Sequence, residues 1–385
     1  MRPKAHSYSY ALKVVTVVLL CVSCKKNIEK EVSVTHEGAY TIKLDKDVSE
    51  YAEIKKFEIQ DIIQLETNAE SLLGKISKVQ QIEGQWYIHS MSKLFVFNAN
   101  GEFIHTIGEI GNGPGEISEV TNFWFDSGQQ QIIVLDNNGR KIVSFNLNGE
   151  FQKEIRINSF PQGIAKFNNE FLLFLNRSAS DFELNESYDV ASMDENGIVK
   201  RTYFPSTPEY KTWYLPNMIF YEFDGKVNYF DYWRNQIYTW TEDEFIPYLK
   251  IDFGDSNFPY EFTKSAEGYD EKKRDYRFIH MGLVESENYL YFDIYDKGEL
   301  AYFFYDKQNN ELNFLNKDRY NPENLFIQPI ATLSNDRFVS TIEPEHVKVL
   351  REHKRLTNPL LIDLADAMDK YDNPSLLVFT VKLSD

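Results

Sequence analysis

An all-β ring of repeated four-stranded units, a propeller, follows from three observations. The first is a repeat. Phe97-Asn98-Ala99-Asn100-Gly101-Glu102-Phe103 returns as Phe145-Asn146-Leu147-Asn148-Gly149-Glu150-Phe151, and more weakly as Met193-Asp194-Glu195-Asn196-Gly197-Ile198-Val199. The glycines are 48 residues apart, a period at which one supersecondary unit recurs and stacks on its neighbours. The second is the content of each period, short apolar or alternating runs divided by turn signals, which is strand pattern. The third is composition. Aromatic residues are 15% of the chain, mostly Phe and Tyr, and such side chains pack well on a pleated surface. A length of 385 residues is long for one core but ordinary for a closed array of repeats.

Taken in order, the chain begins with an address. Arg2, Lys4 and Lys13 precede or flank the apolar run Val14–Leu20, which is too short to span a bilayer and has the layout of a secretory signal. The run ends Leu20-Cys21-Val22-Ser23-Cys24. This resembles a bacterial lipobox, in which a small residue precedes a cysteine that is lipidated and becomes the new N-terminus. Residues 1–23 are therefore expected to be a lipoprotein signal peptide, with Cys24 the lipid attachment site. Cys21 and Cys24 are the only cysteines, so neither a disulfide framework nor a thiolate metal site is expected in the body. Residues 24–56 are polar and charged, with short alternating patches such as Tyr40–Leu44, and read as a tether. Deleting residues 25–50 is accordingly expected to change melting little.

The body is assigned to residues 57–385. In the first full period Lys75–Gln81, Trp86–His89, Leu94–Asn98 and Phe103–Gly108 read as four strands, the last two joined by the Asn100-Gly101 hairpin. Further periods run over about 117–157, 162–204, 216–254 and 277–316, and a sixth opens near Leu325. Two stretches with helical spacing interrupt the sixth, Glu345–Leu356 and Leu360–Tyr371. Pro344 and Pro359 stand just before them, where proline suits a helix start. The strand Leu376–Leu383 follows. Phe57–Leu65, at the other end of the body, is left to complete the last unit. The sequence thus predicts a six-bladed β-propeller closed by pairing of its N- and C-terminal strands, with a short helical insertion in the last blade.

A family likeness is carried by Leu65-Glu66-Thr67, Ser71-Leu72-Leu73-Gly74-Lys75-Ile76, Leu94–Phe103, Gly111-Asn112-Gly113-Pro114-Gly115-Glu116 and Asn373-Pro374. The layout resembles the bacterial six-bladed β-propeller lipoproteins with NHL-like blades, over roughly residues 57–385. That resemblance implies fold and export; it implies no reaction.

Charge and motifs narrow the functions. A formal net charge of −18 disfavours nucleic acid and anionic membrane surfaces, which call for basic patches. Gly111–Glu116 lacks the Gly-Lys-Ser/Thr ending of a phosphate loop and reads as a tight inter-blade turn. His346 and His353 share a basic helix face and read as solvated. Asp136, Asn137 and Asn138 have calcium-ligand chemistry but stand in one turn, which turn chemistry explains. No catalytic residue, metal ligand or cofactor is assigned. The most unusual local composition lies between the third and fourth blades, and aromatics continue within the fourth. Tyr210, Trp213, Tyr214, Trp233 and Arg234 are candidate ligand-binding residues on one rim, because flat side chains on loops suit proteins, peptides and glycans. Packing under a long loop is the competing reading. The long connection 255–276, on the same rim, is another candidate. The expected function is a lipid-anchored, non-enzymatic binding or scaffold protein of the cell envelope. Its partners would be the membrane, through the lipid, and an envelope protein, peptide or glycan. The outer membrane is preferred, on either side, because Lys25 after Cys24 is no inner-membrane retention signal. The alternative is a divalent-cation-dependent lactonase, esterase or lyase acting in the central channel.

Overall fold

Strands buried on both sides need apolar residues at every position, and the middle strands of this protein have them. In Lys93–Phe97 the side chains of Phe95 and Phe97 pack towards one neighbouring blade, and those of Leu94 and Val96 towards the other. Ser375–Lys382 divides in the same way, with Leu376 and Val378 on one side and Leu377, Phe379 and Val381 on the other. The core therefore lies between blades rather than at one centre, as in other radially stacked repeats. A computed structural model describes residues 39–178, 187–206, 218–315 and 328–383.

Six antiparallel sheets stand around an axis. From the innermost strand outwards, blade one is Ile76–Ile82, Gln85–Ser90, Lys93–Phe97 and Phe103–Ile107; blade two is Asn122–Asp126, Gln131–Asp136, Lys141–Asn146 and Phe151–Arg156. Blade three is Gly163–Phe167, Glu170–Ser178, Ser187–Asp194 and Val199–Ser206. Blade four is Phe220–Phe223, Lys226–Asp231, Gln236–Trp240 and Phe245–Asp252. Blade five is Arg277–Glu285, Tyr289–Asp296, Glu299–Asp306 and Glu311–Phe314. Blade six takes Ala331–Leu333, Arg337–Ile342 and Ser375–Lys382 from the end of the chain and Lys56–Gln64 from its beginning. The six-bladed ring and its closure by the two chain ends match the sequence reading. Turns within strand pairs one–two and three–four share one face, here the hairpin face; turns two–three and the links between blades share the other, the loop face.

The repeated heptads are the three–four hairpins of blades one to three. Asn98 Oδ1 accepts from the amides of Asn100 and Glu102, Asn146 Oδ1 from Asn148 and Glu150, and Asp194 Oδ1 from Asn196 and Ile198. Only the glycines take positive φ, 87°, 80° and 81°, and the ladder slips by one residue beside each hairpin. The turn is thus a four-residue turn ending in a glycine bulge, not the two-residue Asn-Gly turn expected. At Gly101 the glycine is required twice over, since a Cβ would sit 2.1 Å from the Gln64 carbonyl of the closing strand.

Proline at N1 starts both inserted helices, Pro344–Glu352 and Pro359–Ala367, and the Asn358 side chain caps the second at the Leu360 amide. Both end earlier than the spacing suggested. Lys354 turns to positive φ, and Met368 is extended. Val347, Leu350, Leu361, Leu364 and Met368 face the core shared by blades five and six. His346 and His353 are exposed, in keeping with a solvated face.

The closing strands pair from Lys56↔Lys382 to Gln64↔Ser375. Beyond them Asn373, 2% exposed, holds the junction. Its Oδ1 accepts from the Leu73 amide, its Nδ2 donates to the Glu66 and Ser71 carbonyls, and its amide donates to Thr67 Oγ1. The Leu65–Thr67, Ser71–Gly74 and Asn373-Pro374 motifs are therefore one latch between the ends of the body.

The segment read as a tether is partly built into the ring. Tyr40–Lys43 runs parallel to Phe245–Asp252 as a fifth strand of blade four, and Ala52–Glu53 runs parallel to Glu311–Phe314 on blade five. Ile42 and Leu44 are buried at 2% and 0% exposure. Arg277 forks onto Asp296 and donates to the Leu44 and Lys46 carbonyls. The chain thus covers the outer edges of blades four, five and six in turn, which removes exposed edges. This corrects the expectation that deleting residues 25–50 is silent. Deletion through Gly38 should leave the melting temperature unchanged. Deletion through Tyr51 should cost roughly 3–6 kcal/mol, the burial of two aliphatic side chains. Coincident melting curves for the two would contradict the strap's role.

Candidate axial binding site

The innermost strands line a cavity of about 190 Å³ on the ring axis. Its walls are Lys78–Gln81 of blade one, Trp124 and Phe125 of blade two, Met218 and Phe220–Glu222 of blade four, Val284 and Glu285 of blade five, and Ala331 and Thr332 of blade six.

Charged groups near it fall into two kinds. Most are paired. Lys166 Nζ lies 2.8 Å from Asp126 Oδ2 and 3.0 Å from Glu195 Oε1. Glu285 accepts from Tyr221 and Tyr248 hydroxyls at 2.6 and 2.7 Å and from Lys307 Nζ at 2.6 Å. Burial first, then the Glu285 carboxylate, pushes the Tyr221 hydroxyl pKa well up, so it remains a donor. Lys78 and Glu222 are different. Lys78 Nζ donates to the Phe123 carbonyl at 2.6 Å and sits 4.6 Å from the Phe123 ring centroid. Burial pushes its ammonium down to about 8. Glu222 is exposed to the channel, and burial, followed by the Asp126 carboxylate, raises its pKa. Among the described residues neither has an ion-pair partner.

Trp233 and Arg234 occupy the two–three turn of blade four on the loop face. Trp233 is 8% exposed, its ring 4.7 Å from Tyr232 and 5.8 Å from Tyr269. It packs beneath the 255–276 connection, whose Phe258 meets Phe262, Tyr269, Tyr276 and Phe278. Arg234 is bonded to Asp231, lies 3.7 Å from Asp189 and covers the Tyr260 ring at 4.3 Å. Burial alone would lower its pKa; Asp231, Tyr260 and Asp189 outweigh that and raise it. Both side chains thus hold blades three and four and the long connection together. Tyr210, Trp213 and Tyr214 lie outside the described residues, as does Cys24.

Other motifs take the structural roles expected of them. Glu116 Oε2 accepts from the Gly113 amide at 2.7 Å, so the glycine-rich loop is filled by its own carboxylate. Asp136 accepts from the Ser118 and Gly139 amides, and Asn137 donates to the Pro161 carbonyl. Among the described residues no three His, Cys, Asp or Glu side chains converge as a metal site.

The sequence of residues 39–380 matches the family described as a domain of unknown function, DUF4934. The chain belongs to that family. The match spans the strap and nearly all of the ring, so the DUF4934 unit here is the whole propeller. No curated protein matches the sequence. Among solved structures the chain is similar to a protein from Bacteroides fragilis NCTC 9343, described as exported by inference. Their TM-score is 0.76 at 19% identity, over 89% of this chain and 99% of that one. A looser likeness, TM-score 0.49 at 12% identity, is to a member of the DUF4221 family from Bacteroides vulgatus ATCC 8482, over 87% of this chain and 100% of that one. A virginiamycin B lyase from Staphylococcus aureus gives 0.41 at 11% identity, over 81% and 82%. Of these, the first speaks for the fold.

Next to Lys78, His89 reports on the inner wall of blade one. Its Nε2 lies 2.7 Å from the Val120 carbonyl and its Nδ1 2.8 Å from Ser77 Oγ. Since a carbonyl only accepts, Nε2 carries the proton in the neutral ring. Burial lowers its pKa from 6.5 to about 4. The folded pKa lies below the unfolded one, so the stabilisation is complete above pH 6.5 and is lost as pH falls through 4. It amounts to on the order of 3 kcal/mol. His89→Gln should flatten the fall in melting temperature across that window. Parallel pH curves for variant and wild type would contradict it.

Proposed function

We propose that this protein is a lipid-anchored binding protein of the cell envelope, which recognises a protein, peptide or glycan without transforming it. The observation that carries this reading is the closed ring itself, a rigid scaffold with most of its inner charges already paired and a cavity on its axis. Near the cavity Glu285 and Asp126 are each held by a lysine and so are poorly placed to act as a general base, which leaves Glu222 as the one carboxylate in the cavity lining without such a partner among the described residues. The acidic net charge of −18 fits ligands other than nucleic acid.

Export and anchoring are supported by the apolar run Val14–Leu20 and by Ser23-Cys24; the B. fragilis protein of similar fold is itself described, by inference, as exported. No helix among the described residues is long and apolar enough to cross a membrane; in this reading the attachment is a lipid on Cys24. Lys25 supplies no inner-membrane retention signal, which favours the outer membrane in this reading. The ring begins at Tyr40, on the edge of blade four. Residues 25–39 can reach up to about 50 Å at 3.3–3.6 Å per residue, enough for the ring to stand clear of the bilayer.

Two measurements test the proposal. Cys24→Ala should move the protein from the membrane pellet to the soluble fraction; retention in the pellet after a high-salt wash would contradict the anchor. Purified protein should show no lactone or ester turnover when supplied with calcium or zinc. Stoichiometric metal accompanied by turnover would replace binding with catalysis in the channel.

A further inference from the structure

Blades one and four face each other across a six-bladed ring. Lys78 belongs to the inner strand of blade one and Glu222 to that of blade four, and both line the axial cavity. The cavity therefore has a cation on one wall and a carboxylate on the opposite wall. Neighbouring charges show that ion pairs are readily made here. Asp126, beside Glu222, is taken by Lys166, and Glu285, on the blade-five wall, by Lys307. Lys78 and Glu222 line the same cavity from blades one and four, each without an ion-pair partner among the described residues. An ammonium carries three donors, and the Phe123 carbonyl takes one.

The remaining walls are apolar and aromatic. Trp124, Phe125 and Phe220 contribute rings, Met218 and Val284 aliphatic surface, and Thr332 and Gln80 neutral polar groups. An apolar body with a few placed polar groups is the usual make-up of a small-molecule site. A dry cavity of about 150 Å³ accepts a benzene ring, so 190 Å³ takes the apolar side chain of a single amino acid or of a short peptide's end residue.

We infer that the axial cavity binds a zwitterion, an apolar amino acid or short peptide, with its carboxylate on Lys78, its ammonium on Glu222 and its side chain among Trp124, Phe125 and Phe220. A lone carboxylate would leave Glu222 unmatched and repelled, and a lone amine would do the same at Lys78. The ligand completes two ion pairs that the ring leaves open, in a site where lowered polarity strengthens them. This rests on the reading of the protein as a binder and names the ligand class of its axial site.

Isothermal titration of the full mature chain with L-phenylalanine tests it, beside 3-phenylpropionate, which lacks the amine, and phenethylamine, which lacks the carboxylate. The zwitterion should bind at least tenfold more tightly than either. Glu222→Gln, on an exposed side chain, and Lys78→Met should each weaken phenylalanine at least tenfold. Melting of both variants checks that they fold. If Lys78→Met does not, Glu222→Gln and the two analogues decide alone. Equal affinity for phenylalanine and 3-phenylpropionate, undiminished binding in Glu222→Gln, or no heat with phenylalanine, leucine or a Phe-Ala dipeptide would each overturn the inference. That last result would leave an anchored binder with its ligand elsewhere. Binding followed by chemical change of the ligand would keep the site and remove the non-catalytic reading.

Discussion

Lys56–Gln64 pairs with Ser375–Lys382, and most of the molecule depends on that one ladder. Without it blade six has three strands, and the ring has an open edge at its weakest point. No covalent bond can substitute, because both cysteines lie before residue 25. The pairing also sets up the packing around it. It places Ile63 and Leu65 against blade one and Phe57 against blade five, so both neighbouring inter-blade cores include the closing strand. It brings Glu66 under the first hairpin, where its amide donates to the Gly101 carbonyl and its carboxylate accepts from the Phe103 amide. Asn373 then satisfies four polar groups across the same seam. A buried amide that leaves such partners unmet costs about 1–3 kcal/mol for each, so the latch reinforces the ladder rather than decorating it.

The strap extends the same logic outwards. Its two short parallel strands would be marginal alone, yet each adds to a finished sheet, and Arg277 fixes the turn between them through Asp296 and two carbonyls. Blades four and five consequently have five strands each. They are also the blades that carry Glu222 and Glu285 on the axis and the aromatic 255–276 connection on the loop face. One side of the ring is thickened on its edge, its face and its channel wall. A rigid surround of this kind holds opposed groups such as Lys78 and Glu222 at a fixed separation, which a site needs if two charges are to be met at once.

Legibility in the sequence tracked how local each signal is. The blade count came from hairpins that carry their own Asx caps and a glycine at positive φ. The helices came from proline at N1. Closure came from counting strands, because an unpaired strand at each end has one solution in a ring. The turn type is not legible in the sequence, since Asn-Gly supports both a two-residue turn and a bulged one, and only the backbone of Asn98–Glu102 separates them. The strap reads as a tether because four residues, Tyr40–Lys43, give too short a period against charged surroundings. Trp233 stood out by composition, but burial beneath Phe258 and Tyr269 is a long-range fact. Lys78 and Glu222 left no trace at all. They lie on opposite blades far apart in the chain, and each is an ordinary polar residue in its own strand until the ring closes.

The shape of the ring and its axial cavity therefore share one premise, that the ring is closed by its own two ends and opens as a unit. Native-state hydrogen exchange tests this most directly. Amides of Ile59–Ile63 and Leu376–Val381 should exchange only with global unfolding, at the same free energy as the middle strands of blade two, Gln131–Asp136 and Lys141–Asn146. Faster exchange confined to the two closing strands, with blade two still protected, would show that the seam frays independently and would contradict the account.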